Sequence, residues 1–377
     1  MMPVKLNIKH PNFLIGVLFV SLLFLFGCNE VKKTGNELNF LKEEKSFLAP
    51  FDSLSYNYSS DSWKGKLANY SENRYGQMLT LDSGNNFCYL SIDTDNELHR
   101  FNFSTNEHSY SSKICNSTIQ AYKIDSSLIY LLYDDILFIK NFQLNTIDSF
   151  SYKHPVIDQQ HGIDFTLENN SNLFKMKDYF ALMYYVVDEL PDGSGLFKNS
   201  ENLFYFFNKD TSFFSGEGCE KLQDSVFQYF RYPTVTNDNG SIYHAPRVLN
   251  CISKTSEVST IINSEIDAKT NNYLTINHLD QYEISKLKKY RFSTDYNREI
   301  INSGAYIYLI KETPDKIYYE NGVRKYKHSL ELRKFDMELN FIKTYYIQNK
   351  FYSFTYIDND KLYLFDIYNN NAIIYEL

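Results

Sequence analysis

Histidine and acidic residues are concentrated in one short segment, HPVIDQQHGID, at positions 154–164. His154 and His161 are separated by six residues, and Asp158 and Asp164 lie close to them in the chain. Imidazole and carboxylate groups can bind a metal ion, but this spacing fits neither a helix nor a hairpin and identifies no third ligand. We therefore predict a solvated loop without a metal, in which His161 and Asp164 are candidate ligand-binding residues.

Two arginines and a histidine lie close to predicted strands in the second half of the chain, within Arg231-Tyr232-Pro233 and Tyr243-His244-Ala245-Pro246-Arg247. If the strands line a central channel, Arg231 and Arg247 are suited to bind a carboxylate or sulfate group. His244 could act there as an acid or base. The alternative for all three is ordinary packing and surface charge.

Sequence fingerprints of common catalytic sites are absent. The chain contains no G-x-S-x-G elbow, no H-E-x-x-H motif, no P-loop and no dinucleotide fingerprint, so we assign no catalytic residue and no cofactor. Cys88, Cys115, Cys219 and Cys251 match no metal motif either. Export would permit the disulfides Cys88–Cys115 and Cys219–Cys251, but free and buried cysteines are the preferred interpretation.

The N-terminal residues predict export and lipid attachment. Lys5 and Lys9 precede a fourteen-residue, largely apolar run, Phe13–Phe26, which is shorter than the ~20 residues needed to span a bilayer. The run ends at Gly27-Cys28, a small residue followed by a cysteine that could take a diacylglyceryl group. This junction resembles the lipobox of bacterial lipoproteins. An ordinary signal peptide followed by a chance cysteine is the alternative.

These features divide the chain into three segments: a lipoprotein signal peptide (1–27), a polar, flexible tether (28–45) and a folded domain (46–377). The chain carries 38 basic and 46 acidic side chains, a net charge of −8. This acidic balance argues against nucleic acid as a partner. The expected location is the bacterial cell envelope, on the periplasmic face or the cell surface of the outer membrane, with attachment through lipid.

The composition of the chain predicts β-structure. It contains 33 Tyr and 30 Phe but 14 Gly, and aromatic residues make up 17% of it. Tyr and Phe favour pleated, half-buried surfaces, whereas amphipathic helical patterns are nearly absent. One segment, 279–290, predicts a short surface helix. The predicted fold class is therefore all-β.

The segment 127–152 shows the repeating unit most clearly. It predicts the strands Leu128–Tyr133, Ile136–Phe142 and Ile147–Tyr152, with a turn at Asp134-Asp135 rather than a catalytic pair of carboxylates. Both alternating faces of the first strand are apolar, as expected for a strand packed between two neighbouring sheets. The pattern recurs at a period of roughly 40–50 residues, which is typical of a β-propeller.

We count six four-stranded blades, and the last offers three strands at the C-terminus. The missing strand is expected from Ser46–Tyr58, so that an N-terminal strand joins the C-terminal blade and closes the ring. Asp188–Ser200 is predicted as a loop and Thr313–Lys327 as an insertion. Seven blades, or an array of two-sheet sandwiches, are the alternatives.

A lipobox, a short tether and aromatic-rich four-stranded units resemble the six-bladed propeller lipoproteins of Bacteroidetes-type bacteria, within a family known as a domain of unknown function. The resemblance implies a propeller and an envelope location but no reaction. Our leading hypothesis is a tethered propeller that binds an unknown ligand or envelope protein. The alternatives are a hydrolase or lyase acting on glycans or lactones at the central channel, and a structural spacer in an envelope complex.

Overall fold

The computed structural model describes the chain from Ser46 to Leu377 with several gaps, and these residues form one compact unit. No helix among them is long and apolar enough to cross a membrane. The predicted leader and tether (1–45) and the predicted helix at 279–290 lie outside the described residues. The described ranges are 46–55, 77–80, 87–93, 95–103, 105, 107–117, 119–125, 127–151, 153, 171–183, 187–189, 195–197, 201–217, 226–227, 234–245, 251–256, 260–263, 296–320, 323–350, 352, 354–366 and 369–377.

The strands build six blades of a β-propeller, which confirms the predicted fold class. Two short strands come first: β1 (Ser46–Phe47) and β2 (Asp52–Ser55). Blade 1 contains β3 (Gln77–Thr80), β4 (Phe87–Ile92), β5 (Leu98–Asn102) and β6 (Glu107–Tyr110). Blade 2 contains β7 (Ala121–Ile124), β8 (Leu128–Tyr133), β9 (Ile136–Asn141) and β10 (Thr146–Ser151).

Blade 3 begins with β11 (Ser171–Lys175) and β12 (Phe180–Met183). Two short strands follow, β13 (Val187–Glu189) and β14 (Gly195–Phe197), before β15 (Glu201–Phe207) and β16 (Ser212–Glu217) complete the blade. A further short strand is β17 (Val226–Phe227). Blade 4 contains β18 (Thr234–Asn237), β19 (Ile242–Ala245), β20 (Ile252–Thr255) and β21 (Thr260–Asn263).

Blade 5 contains β22 (Tyr296–Asn302), β23 (Ile307–Glu320), β24 (Val323–Phe335) and β25 (Phe341–Lys350). Blade 6 contains β26 (Phe354–Asp358), β27 (Lys361–Asp366) and β28 (Asn371–Glu376). Within each blade the strands pair antiparallel in chain order. Parallel hydrogen bonds between β7 and β11 also join the inner edges of blades 2 and 3.

The ring is closed by the N-terminal strands, as the sequence predicts. Strand β2 pairs antiparallel with β28 and so becomes the fourth strand of blade 6. Strand β1 adds to the edge of β25 in parallel. On the other side of blade 6, the ring of Phe365 lies 5.1 Å from that of Phe103 in blade 1. The two ends of the described chain therefore cover strand edges that would otherwise be exposed.

The second strand of each blade carries apolar residues on both faces because it is packed between two neighbouring blades. In β8, Ile129 and Leu131 pack toward blade 1, whereas Tyr130 and Leu132 pack toward blade 3. All four are at most 1% exposed. Burying one such side chain contributes about 1.5–3 kcal/mol, so the interfaces between blades supply much of the stability.

Tyrosine suits these interfaces because its ring fills the core while its hydroxyl reaches a polar turn. The hydroxyl of Tyr308 in blade 5 donates to Asp360 in blade 6 at 3.1 Å. The Tyr243 hydroxyl in blade 4 lies 3.2 Å from the Met337 carbonyl in blade 5. Burial raises the pKa of the Tyr308 hydroxyl, with the Asp360 carboxylate adding to the rise. These hydroxyls therefore stay protonated and join successive blades.

Several turns use Asn or Asp at positions with positive φ. Asp134 and Asp135 have φ values of 50° and 59°, which confirms the predicted tight turn between β8 and β9. Asn359 and Asp360 repeat this arrangement between β26 and β27, with φ values of 48° and 55°. Asn and Asp tolerate the left-handed region, so both pairs suit two-residue hairpin turns.

Two predicted irregular segments contain regular structure. The segment Asp188–Ser200, predicted as a loop, contributes to β13 and β14, which form a three-stranded sheet with β17. The Thr313–Lys327 insertion continues the β23–β24 hairpin, whose pairing extends to Glu320 and Val323. Both segments contain turn-forming residues, Pro191 and Gly193 in the first and Pro314, Asn321 and Gly322 in the second, which favoured the irregular interpretation.

The three cysteines that the structure describes divide into two classes. Cys88 and Cys115 are free and buried, so the preferred interpretation is confirmed for them and the Cys88–Cys115 bridge is absent. Burial raises the pKa of both thiols. They are therefore unreactive core residues at neutral pH. Cys251 is disulfide-bonded, and the expectation of a free thiol is wrong there.

Candidate functional site

The two ends of the ring differ in how their turns are built. In antiparallel blades, the turns after the first and third strands lie at one end, and those after the second strand lie at the other. At the first end, which we name the tight-turn face, backbone hydrogen bonds close turns at Asp125–Leu128, Asn208–Thr211, Asp238–Ser241 and Ser303–Tyr306. The opposite end, which we name the elaborated face, carries β13–β14 and the long β23–β24 hairpin.

A cluster of acidic and histidine side chains lies at the elaborated face of blade 1, where a turn joins β4 to β5. Asp93 begins this turn, and its Oδ1 accepts the backbone N–H groups of Asp95 at 3.0 Å and Glu97 at 2.8 Å. These bonds leave the other carboxylate oxygen, Oδ2, facing the imidazole of His99 at 2.9 Å. The turn therefore fixes the position of the carboxylate as well as the path of the chain.

His99 is the buried centre of this cluster. It is 1% exposed, and its Nε2 lies 2.9 Å from Asp93 and 4.0 Å from the Oε2 of Glu97. Its Nδ1 lies 2.9 Å from the Nε2 of His108 on β6. The His108 ring stacks on Phe101 with a centroid separation of 4.4 Å. Hydrogen bonds at both nitrogens fix the orientation of the His99 ring.

The cluster combines two carboxylates with one imidazole. One ligand atom from each of Asp93, Glu97 and His99 lies within 4.8 Å of the others. Across the described ranges, neither carboxylate forms an ion pair with a lysine or arginine, and each lies within 4.0 Å of the His99 imidazole. The side chains of Asp93 and Glu97 are 13% and 33% exposed, so the group lies at the surface. Its net charge is negative when His99 is neutral, which favours a cation.

A second polar cluster lies beside the innermost strands of blades 5 and 6. Arg298 on β22 contacts Glu312 at 2.6 Å, and the Glu312 side chain has no exposed surface. The Tyr352 hydroxyl donates to the same carboxylate at 2.7 Å, and the Arg298 guanidinium lies 4.4 Å from the Tyr352 ring centroid. Thr355 on β26 donates to Glu299. Here the buried carboxylate is neutralised by a cation, so the cluster joins two blades.

Most of the binding and lipid-attachment residues predicted from the sequence lie in parts of the chain that the structure does not describe. His161, Asp164, Arg231, Arg247 and the lipid-attachment residue Cys28 lie outside the described residues. His244 lies on β19, the second strand of blade 4 rather than the innermost, and is fully buried. Its Nδ1 lies 3.4 Å from Ser253 Oγ, and its ring is 6.4 Å from Phe204 of blade 3. A ligand-binding role for these residues stays a prediction.

Sequence reasoning missed the cluster at Asp93, Glu97 and His99. The pattern D-x-x-x-E-x-H was visible, but it crosses from one strand to the next. Side chains at these spacings converge only because the turn reverses the chain after Asp93. Residues 97 and 99 then point to one side of the sheet, as alternate residues of a strand do. Recognising the turn type from Asp93 and Asn96 would have been the useful signal.

Comparisons with known proteins support the fold. No protein-family model matches the chain, and no curated protein matches it in sequence. The chain is similar to a crystal structure of a DUF4221 family member from Bacteroides vulgatus ATCC 8482, with a TM-score of 0.55 and 10% identity over 89% of this chain and 98% of that chain. A chain of the mitotic checkpoint complex matches with a TM-score of 0.39 and 8% identity over 89% of this chain and 94% of that chain. Hsv2p from Kluyveromyces lactis matches with a TM-score of 0.35 and 10% identity over 74% of this chain and 67% of that chain. The first likeness shows the propeller fold.

Proposed function

We propose that the chain is a lipid-anchored protein of the bacterial cell envelope whose propeller binds a ligand or a partner protein at its elaborated face. The fold shared with the DUF4221 family member supports the resemblance to propeller lipoproteins. The anchor in this proposal rests on the apolar run, Gly27 and Cys28. Two or three acyl chains on one cysteine would hold the protein on a membrane stably.

The observation that carries the binding role is the long hairpin of blade 5. Strand β22 pairs with β23 as far as Glu312, and β25 pairs with β24 as far as His328. The β23–β24 ladder continues through residues 314–320, which corresponds to roughly 20 Å at ~3.3 Å per residue. Within the described chain, no third strand pairs with this extension. Strand edges whose backbone N–H and C=O groups face no further strand are suited to pairing with a strand of a partner protein.

The alternative enzyme hypothesis has less support. Catalysis at the channel would need ionisable groups that converge on a common point with room for a substrate. One described charged cluster beside the inner strands, at Arg298 and Glu312, is instead a closed ion pair with a fully buried carboxylate. This arrangement fits a binding or structural role.

The binding role is tested by trimming the hairpin. Replacing residues 314–328 with Asn-Gly would join the paired residues Thr313 and Ser329 through a two-residue turn. Asp210→Ala, an exposed position on the tight-turn face, is the matched control. We expect photo-cross-linking in intact cells to yield an envelope product with the wild type and the control and to lose it with the trimmed protein. Equal products from all three, or none from any, would contradict the proposal.

The anchor is tested separately by metabolic labelling with palmitate. Labelled palmitate should enter the wild-type chain and should not enter Cys28→Ala. The control is Cys115→Ala, which removes a free, buried thiol of the propeller. Equal labelling of the wild type and Cys28→Ala would rule out lipid attachment at this residue.

A further inference from the structure

We propose that Asp93, Glu97 and His99 bind a divalent transition-metal ion, such as Zn²⁺, at the elaborated face of blade 1. No metal site was expected from the sequence. The inference does not depend on the lipid anchor or on the hairpin of blade 5. It rests on the donor types, their geometry and the charge of the group.

The distances from the His99 nitrogen to the two carboxylates are close to those between neighbouring ligands of a metal site. Zn²⁺ binds imidazole nitrogen and carboxylate oxygen at about 2.0–2.2 Å, which places neighbouring ligands about 3.0–3.5 Å apart. The Asp93 Oδ2 to His99 Nε2 distance of 2.9 Å is already close to that range. The Glu97 oxygen, at 4.0 Å from the same nitrogen, would move inward by less than about 1 Å. Because Glu97 is partly exposed, a rotamer change can supply this movement.

His108 completes the arrangement as an outer partner. A histidine that binds a metal through one nitrogen usually donates its other N–H group to a neighbouring acceptor. His99 would bind through Nε2 and donate from Nδ1 to the His108 Nε2, 2.9 Å away. The stacking of His108 on Phe101 holds that acceptor in place. Three protein ligands also leave at least one coordination position for water or a bound molecule.

The turn does not require the Glu97 carboxylate or the His99 imidazole in order to form. A turn with the same backbone hydrogen bonds occurs at Asp336–Asn340 in blade 5. That turn has Asn340 where blade 1 has Glu97, and Ile342 where blade 1 has His99. The second carboxylate and the imidazole are therefore additions to a turn that forms without them. Glu97 also places a second negative charge beside Asp93 with no lysine or arginine paired to it in the described part of the chain, and a bound cation would offset that charge.

The test is metal titration of the untagged full-length chain in detergent after treatment with EDTA. We expect calorimetry to show one Zn²⁺ per chain and Co²⁺ to give visible absorption from a site of low symmetry. Asp93→Asn and Glu97→Gln should each weaken binding by at least about 10-fold. Asp93→Asn keeps the Oδ1 acceptor of the turn, and Glu97 is partly exposed, so circular dichroism should show both variants folded.

Two further variants locate the site. Asp95→Asn removes an exposed carboxylate of the same turn that is not among the ligands, and it should leave the affinity unchanged. His108→Phe keeps the stacking and removes the outer acceptor, and it should weaken binding about 10-fold. Absence of stoichiometric binding to the wild type would overturn the proposal. Equal affinities for the wild type, Asp93→Asn and Glu97→Gln would overturn it as well.

Discussion

Two turns of the propeller have the same backbone and different chemistry: Asp93–Glu97 in blade 1 and Asp336–Asn340 in blade 5. In both, the first carboxylate accepts backbone N–H groups two and four positions later, at 2.8–3.0 Å. The fourth residue, Asn96 or Leu339, has a φ of 63° in each turn. The shared geometry shows that the turn forms with different residues at its fourth and fifth positions, once the first side chain accepts the two backbone N–H groups.

The difference lies in what the second carboxylate oxygen contacts. In blade 5, Asp336 Oδ2 accepts the side-chain amide of Asn340 at 2.8 Å, so the carboxylate is satisfied within its own turn. In blade 1, the corresponding residue Glu97 cannot donate when ionised, and Asp93 Oδ2 faces the buried His99 instead. The comparison separates the structural part of the turn, which both blades have, from the ligand set, which blade 1 adds.

The largest expected effect comes from the residue after each turn. His99→Ala should lower the free energy of unfolding by about 2–4 kcal/mol, because it leaves a cavity and removes a partner from Asp93. Ile342→Ala, at a position that is 47% exposed, should change it by less than about 1 kcal/mol. Urea unfolding followed by circular dichroism measures both. Equal losses would mean that His99 is packed no more tightly than its counterpart.

The second-largest effect on stability is expected from exchanging the fifth residues of the two turns, Glu97 and Asn340. In EDTA, Glu97→Asn should leave stability unchanged or raise it by up to about 0.5 kcal/mol, since it relieves repulsion beside Asp93. Asn340→Glu should lower stability by about 0.5–1 kcal/mol, because it removes a hydrogen bond and places two carboxylates together. Thermal unfolding of the wild type, Glu97→Asn and Asn340→Glu at one salt concentration tests both expectations. A clear loss for Glu97→Asn would show that Glu97 is needed for folding and would weaken the metal-site argument.

The sequence was sufficient to predict the propeller because its evidence is spread over many residues. Short apolar and aromatic runs such as Leu128–Tyr133, bounded by turn residues, predict strands, and their two apolar faces predict packing between blades. The missing strand of blade 6 could be located because Ser46–Tyr58 was the remaining candidate. Each inference used local spacing together with the rule that strand edges must be covered.

The site could not be predicted in the same way because it depends on a few residues in a specific conformation. The fourth position of the two turns shows why. Asn96 is a residue type that often adopts a positive φ, but Leu339, which rarely does, has the same φ of 63° and is 1% exposed. The turn type is therefore set partly by packing, which no local pattern records. Similarly, His244 was placed near a channel by its position beside a predicted strand, whereas β19 is the second strand of its blade.

The smallest effect concerns the pH dependence of the blade 5 turn. The Asn340 side chain lowers the pKa of the Asp336 carboxyl, burial opposes this, and the backbone N–H groups of Asn340 and Glu338 lower it further. A carboxyl whose pKa is lower in the folded state stabilises the fold above its unfolded pKa of about 3.9. That stabilisation is lost as the pH falls through the lower, folded-state pKa.

Asp336→Asn should therefore be less stable than the wild type at neutral pH, by less than about 1 kcal/mol because the group is near the surface. The difference should shrink as the pH falls below about 4, because the carboxyl is protonated first in the unfolded state and only at lower pH in the folded state. Asn340→Ala should make this acid-induced loss smaller and complete at a higher pH, because it removes the largest cause of the lowered pKa of Asp336. Urea unfolding between pH 2 and pH 7 measures these profiles. If Asn340→Ala lost the same stability as the wild type over the same pH range, the Asn340 side chain would not be the group that lowers the pKa of Asp336. The contrast between Asn340 and Glu97 would then lose its physical basis.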